Sequence, residues 1–382
     1  MGSIPDLPMN IMSEIISRLP VRSLLRFKLV CKTWYALITD SHFISKHLHD
    51  YNSYKHQIIF KSLTTSILTD CISLYNDETS GGLVGLHTPF LVSEYNLVGS
   101  CHGLICLFPS YGSGFPISLW NPATREFRIL PNHRQAIRDG IRHRNILGFG
   151  FDPASGDYKV VAILREIPFS VDCTVRVLVW RMSRDCWDEV DSAFLNQKLG
   201  SVTRYRISAY MPVIMEGILY WVAHYFSSPT ERFIVVVYFD LRDEKFGQIS
   251  IPHLDESVCF TRLVEFKGCL ALCAQTCDFR PDKGHKQFDI WVKDKHDASW
   301  TKHFSIVPSP TLVIPIGCYR NSLVVQETAG DHPKLLLHDP DAREQWKELP
   351  IPDVSCGCRY EVFSYVESLV PLRLRATKKW ST

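Results

Sequence analysis

The sequence predicts two parts: a small all-α N-terminal unit of three short helices, and an all-β C-terminal domain of repeated four-stranded sheets, a β-propeller. Three observations carry this reading. Apolar residues recur at helical spacing only within the first fifty residues. Beyond them, short β-branched and aromatic runs alternate with Gly, Pro, Asn and Asp. One strand–turn–strand unit then returns along the chain. At 382 residues and 46% apolar content the chain is globular, with room for more than one domain.

The helices come first. Leu7-Pro8 opens a helix over 9–19, in which Ile11, Met12, Ile15, Ile16 and Leu19 make one apolar stripe. Pro20 stops it. Ser23 suits the N-cap of a second helix carrying Leu24, Phe27, Val30, Cys31 and Trp34. Ser41 suits a third, carrying Phe43, Ile44 and Leu48. A unit of about forty residues buries too little by itself and calls for a partner surface. It is a docking element before anything else.

After a polar linker at 49–56, strands are expected around 58–60, 104–108, 158–164, 175–179, 218–222, 234–239, 270–274 and 323–325. The repeat is a strand, a polar turn, an aromatic and a second strand. Its paired aromatics are Trp120/Phe127, Trp180/Trp187, Phe239/Phe246 and Trp291/Trp300, with His338 leading to Trp346. Three copies end on Leu130-Pro131, Ile251-Pro252 and Leu349-Pro350. A turn such as His102-Gly103, Glu216-Gly217 or Lys267-Gly268 precedes several copies, and Arg320-Asn321 is a degenerate one. The anchors at 120, 180, 239, 291 and 338 recur every 47–60 residues, the period of a kelch-like propeller blade with loop insertions. Most of the repeat tryptophans are expected as core packing. The β domain is placed at 57–370, and 371–382 is read as a solvated basic tail with Arg373, Arg375, Lys378 and Lys379.

Composition excludes several classes. Net charge is +2 from 42 basic and 40 acidic residues, so no nucleic-acid footprint is expected. No stretch reaches the roughly 20 apolar residues of a membrane span. The first residues form no secretory signal, and Asp6 stands where a myristoylation motif after Gly2 wants Ser or Thr. A cytoplasmic or nuclear protein is therefore expected. The 13 cysteines are irregularly spaced; Cys269, Cys273 and Cys277 read as buried thiols on one strand face, and Cys356-Gly357-Cys358 as a turn. Residues 149–158 read as two strands joined by Asp-Pro and Ser-Gly turn chemistry. No Gly-x-Gly-x-x-Gly, Gly-Lys-Ser/Thr or Gly-x-Ser-x-Gly pattern is found, so no catalytic residue, metal or cofactor is assigned. Target contacts are expected in inter-blade loops, namely 132–145, 224–232, 278–286 and 328–333. The first of these carries Arg134, Arg138, Arg142 and Arg144, which suit an acidic protein surface.

Residues 4–48 resemble the F-box. The match runs through Leu7-Pro8, Ile11, Ile15-Ile16, Arg18-Leu19-Pro20-Val21, Ser23-Leu24-Leu25-Arg26-Phe27 and Val30-Cys31-Lys32-Thr33-Trp34 without a gap. The resemblance implies that this unit seats on the Skp-type adaptor of a cullin-RING ubiquitin ligase. The implied contacts are Leu7, Pro8, Ile11, Ile15, Ile16, Leu19, Pro20, Leu24, Leu25, Val30, Cys31 and Trp34. The β domain resembles the F-box-associated region of plant F-box/kelch-repeat proteins, a group with self-incompatibility-locus and immune-regulator members. The matching segments are 99–104, Leu119-Trp120-Asn121-Pro122-Ala123-Thr124-Arg125, 149–152, 156–161 and 297–302. It departs from true kelch repeats in lacking a regular double glycine. Together these imply a non-catalytic substrate receptor that brings a protein target to the ligase, leading to its ubiquitination and degradation. The competing readings are a ligand-binding or enzymatic propeller with an incidental helical unit, and a scaffold that binds the adaptor alone.

Overall fold

A computed structural model of the chain describes residues 8–52, 57–63, 71–75, 83–109, 116–132, 143–166, 175–199, 206–207, 212–226, 232–252, 254, 258–276, 287–295, 297, 299–306, 313–327, 334–342, 346–350 and 359–372. The N-terminal unit has four helices rather than three: α1 (Met9–Ile16), α2 (Val21–Phe27), α3 (Lys32–Ile38) and α4 (Ser41–Asn52).

The expected second helix is split. Leu29 N–H and Val30 N–H donate to the Arg26 and Phe27 carbonyls at 3.0 Å, tightening and ending α2. Cys31, extended, then caps α3 by accepting from Trp34 N–H at 3.4 Å. In one straight helix Phe27 and Trp34 would stand about 10 Å apart along the axis. The break brings their rings to 4.6 Å, edge to face.

Two caps also differ from expectation. Ser23 lies inside α2, because the extended Pro20 already offers its carbonyl to Ser23 and Leu24 N–H at 2.9 and 3.1 Å. Asp40, not Ser41, caps α4: its Oδ1 accepts from His42 and Phe43 N–H at 2.9 and 3.1 Å. Since α4 runs to Asn52, residues 49–52 of the expected linker are helical.

The β domain contains six antiparallel sheets. Blade 1 is built from both chain ends: Arg359–Tyr365 pairs with Gln57–Leu63, followed outward by Cys71–Tyr75 and Leu83–Gly85. Blade 2 is Tyr95–Cys101, Leu104–Pro109, Ser118–Asn121 and Glu126–Ile129. Blade 3 is His143–Asp152, Asp157–Glu166, Val175–Arg181 and Cys186–Val190. In blade 4, Arg206–Ile207 and Val213–Met215 share the inner position beside Ile218–Phe226, with Arg232–Asp240 and Lys245–Ile249 outside. Blade 5 is Val258–Phe266, Cys269–Thr276, Gln287–Lys293 and Trp300–Ile306; blade 6 is Val313–Tyr319, Ser322–Glu327, Lys334–His338 and Trp346–Glu348. Each blade contacts both of its neighbours, and blade 6 meets blade 1, so the ring closes.

The repeat read from the sequence is the outer hairpin of blades 2–6. Trp120, Trp180 and Phe239 stand directly opposite Phe127, Trp187 and Phe246. In blade 5 Lys293, not Trp291, stands opposite Trp300, and a register shift falls between Ile290 and Trp291. The polar residue after the anchor closes the turn. Asn121 Oδ1 accepts from Ala123 and Thr124 N–H, and Asp240 Oδ1 from Arg242 and Asp243 N–H. The inner turns carry positive φ at His102 and Gly103, Glu216 and Gly217, and Lys267 and Gly268. This is the conformation that a two-residue hairpin turn demands.

Trp120 and Trp180 are fully buried, whereas Trp291 and Trp300 are half-buried and Trp346 is 39% exposed. Core packing thus fails for Trp346, which lies on a three-residue outer strand with no sheet beyond it. Fourth-strand indoles tie blades together instead: Trp187 Nε1 donates to the Pro131 carbonyl at 2.8 Å, and Trp300 Nε1 to that of Ser250 at 2.9 Å.

Short turns gather on one face of the ring. They span two residues at 102–103, 216–217, 267–268 and 320–321, and four at 122–125, 153–156, 182–185 and 241–244. Strand alternation puts the other ends of these strands, such as Pro109, Ile129 and Ile249, on the opposite face. The helical unit sits on the short-turn face. Its core of Ile16, Val21, Leu24, Ile38 and Phe43 includes Leu369 and touches Ala123, which lies in a blade 2 turn.

Candidate docking surface

Helix α1 is apolar on two sides. Met12 and Ile16, with Leu19 just beyond, face the unit's own core, while Ile11 and Ile15 point outward at 44% and 52% exposure. The break between α2 and α3 adds Leu29 and Val30, exposed by 87% and 65%, with Cys31 and Tyr35 beside them in sequence also exposed. Pro8 and Met9 are exposed as well. Large apolar side chains grouped in one small unit and left in water mark an interaction surface. Each Ile or Leu fully buried there by a partner contributes about 1.5–3 kcal/mol.

The residues implicated by sequence therefore separate. Pro8, Ile11, Ile15, Pro20, Val30 and Cys31 are exposed, and Leu19, Leu25 and Trp34 are half-buried against the internal core. Ile16 and Leu24, at 4% and 0% exposure, are core residues, and a role in direct contact is corrected for both. Ile16 falls on the inward side because the one stripe of α1 is really two, each with three-to-four-residue spacing and offset from the other by one residue. Leu7 lies outside the described residues. Met9, Leu29 and Tyr35 were missed; the helix break that turns Leu29 outward leaves no Gly or Pro in the 23–34 run to mark it.

Polar contacts fix the unit behind this surface. Glu14 pairs with Arg18 at 3.0 Å and with Lys46 of α4, and Lys46 first, then Arg18, holds its carboxyl below the usual range. His47 is buried, and its Nε2 lies 2.9 Å from the Leu19 carbonyl. Burial pushes the ring's pKa down, partly opposed by that carbonyl and by Asp50.

On the β domain, Arg134, Arg138 and Arg142 lie outside the described residues, as do 278–286 and 328–333. Arg144 is not on a loop: it belongs to His143–Asp152, opposite Arg165. Residues 224–226 and 232 are likewise strand. The six inner strands surround an axial cavity of about 110 Å³, whose lining includes Ser100, Phe149, Arg262, Cys318 and Phe363. Cys273 is buried with its thiol pushed up to about 12 by burial, on the same strand as Cys269; Cys277, Cys356 and Cys358 lie outside the described residues. Among the described residues no group of His, Cys, Asp and Glu could hold a metal ion, and no helix is long and apolar enough to cross a membrane.

Residues 4–46 match the F-box domain family, and residues 66–325 match the F-box associated beta propeller domain family. An F-box/kelch-repeat protein of Arabidopsis thaliana is 30% identical over 330 residues, covering 83% of this chain and 84% of its own length. A second F-box/kelch-repeat protein of that plant is 28% identical over 315 residues, 78% of this chain and 74% of the relative. The F-box protein CPR1, also from Arabidopsis thaliana, is 26% identical over 394 residues, 95% of this chain and 88% of the relative.

Proposed function

The chain belongs to the F-box proteins that carry an F-box-associated β-propeller, and from that premise we propose that it is a substrate receptor of a cullin-RING ubiquitin ligase. The outward face of the helical unit docks the Skp-type adaptor, which links the chain to the cullin and RING subunits. The propeller holds a protein target, and other subunits transfer ubiquitin, committing the target to degradation in the cytoplasm or nucleus. The chain's share in the chemistry is proximity: a target held near the charged ubiquitin carrier reacts as if highly concentrated.

One observation carries this reading. Ile11, Ile15, Leu29 and Val30 are exposed while the rest of the same unit packs a complete core. A helical unit serving only its own chain gains nothing from that arrangement. The helical unit sits on the short-turn face, so the target is assigned to the opposite face, where the Glu126–Ile129 strand ends ahead of the arginines read from the sequence.

Purifying the full chain with and without a Skp-type adaptor tests the proposal. A tight one-to-one complex that disappears on deleting residues 1–50 is the expected result. A chain indifferent to the adaptor would overturn it. The truncated chain, once its β signal is verified by circular dichroism, should then retain its targets for identification.

A further inference from the structure

After the last strand of blade 1, residues 366–372 run across the short-turn face between the propeller and the helical unit. Their side chains alternate: Leu369, 2% exposed, completes the helical core, while Val370 and Leu372 join the core shared by blades 2 and 3. Blade 2 grips the segment through its backbone. Asn121 Nδ2 donates to the Ser368 and Val370 carbonyls at 3.2 and 2.9 Å. Leu372 N–H donates to Glu126 Oε2 at 2.8 Å, and Arg128 Nη1 donates to the Leu372 carbonyl at 2.9 Å. Gly103 leaves room for it: a Cβ there would stand 2.6 Å from Ser368 Oγ and from the Val366 carbonyl oxygen.

Repeat chemistry supplies an independent sign. The residue that caps the outer turn is an aspartate in blades 4 and 6, where Asp240 and Asp339 accept from the turn's own N–H groups. Either Asp or Asn can do that. Blade 2, which the segment crosses, has Asn121, whose Oδ1 caps the turn while its Nδ2 supplies the donor an aspartate lacks.

We propose that residues 366–372 are a latch that fixes the orientation of the helical unit on the propeller, with Asn121 as its positioning residue. The latch rests on the receptor reading only for its consequence, the presentation of a bound target at one distance and angle to the ligase. It also moves the boundary of the packed domain: Leu372, assigned from sequence to a solvated tail, is 1% exposed, so the packed domain includes it.

The test is pulsed electron-spin distance measurement on the full chain bound to a Skp-type adaptor, or alone if it does not bind. Spin labels are introduced as encoded residues at the exposed His42 on the helical unit and Asp243 on a blade 4 turn. Wild type should give one narrow distance. Asn121→Asp keeps the turn cap, removes both donors and sets a buried carboxylate against the Ser368 and Val370 carbonyls, so it should widen the distribution at least about twofold and also lower the unfolding midpoint. Leu369→Ala should widen it too. Asp240→Asn makes the reverse exchange where no segment crosses, and should leave the distance narrow. An unchanged Asn121→Asp distribution, or equal widening by Asp240→Asn, would overturn the latch. Neither result bears on adaptor capture, so this test and that of the receptor reading fail separately.

Discussion

The propeller and the helical unit draw on similar apolar residues and use them differently. In the propeller nearly every large side chain of the inner strands finds a partner, because each sheet has a neighbour on both sides and the two chain ends close the ring. In the helical unit, α1 and the α2–α3 break leave Ile11, Ile15, Leu29 and Val30 outside. A closed repeat consumes its apolar surface; a small open unit keeps some for another molecule. The contrast predicts that substitutions in the propeller core act on stability, and outward substitutions in the helical unit on binding.

The largest effect should come from the propeller core. Trp180 is fully buried, its Nε1 donates to Asp185 at 3.2 Å, and the Arg128 guanidinium lies 5.4 Å from its ring centre. Trp180→Ala should cost about 3–5 kcal/mol in chemical denaturation. Trp346→Ala, on an exposed outer strand, should cost under about 1 kcal/mol. Equal losses would mean that the ring does not grade burial as described.

Next comes the division within the helical unit. Leu24→Ala removes a core side chain and should destabilise by about 2–5 kcal/mol, read from the helical signal on heating. Ile15→Ala should stay within about 0.5 kcal/mol by the same measurement. A comparable loss at Ile15 would place it in the core and remove it from the docking face.

Glycines sharpen the contrast further. Gly103 and Gly156 both have positive φ, 77° and 66°, but a Cβ at Gly103 meets Ser368 and Val366 whereas at Gly156 it meets open space. Gly156→Ala should cost about 1 kcal/mol from backbone strain alone. Gly103→Ala should cost clearly more and displace the segment it abuts. Equal costs would show that the close approach carries no weight.

The smallest effect is pH dependence shared by both regions. Burial lowers the pKa of His47 in the helical unit and of His102 in the propeller below 6.5. The folded chain then binds fewer protons than the unfolded one. The stability tied to these neutral rings is present above pH 6.5 and is lost as pH falls through 6.5 toward the lowered folded values. Melting temperature should decline over that range, and His47→Gln should flatten part of the decline. A stability that rises on acidification would contradict the sign.

Much of the fold was legible because the repeat is written in local chemistry. Trp120-Asn121, Phe239-Asp240 and the His102-Gly103 turn each state a strand end, a cap or a positive-φ corner. Blade 1 was not legible, since Gln57–Leu63 pairs with Arg359–Tyr365 from the far end of the β domain and no repeat unit spans them. The helix break at 28–31 was hidden for a different reason: it lies in the backbone bonds of Leu29 and Val30 and the Cys31 cap, which apolar periodicity does not register. The break turns Leu29 and Val30 outward, so the docking surface was found as a segment but not as a side.

The most direct test of the account is adaptor affinity of the full chain carrying Ile15→Asp and Val30→Asp together, set against wild type by calorimetry. Both residues are exposed, so the double variant should melt as wild type does. The account predicts that its affinity for a Skp-type adaptor falls by at least about 100-fold, as expected when two apolar contacts become buried charges. A folded double variant that binds the adaptor as tightly as wild type would contradict it.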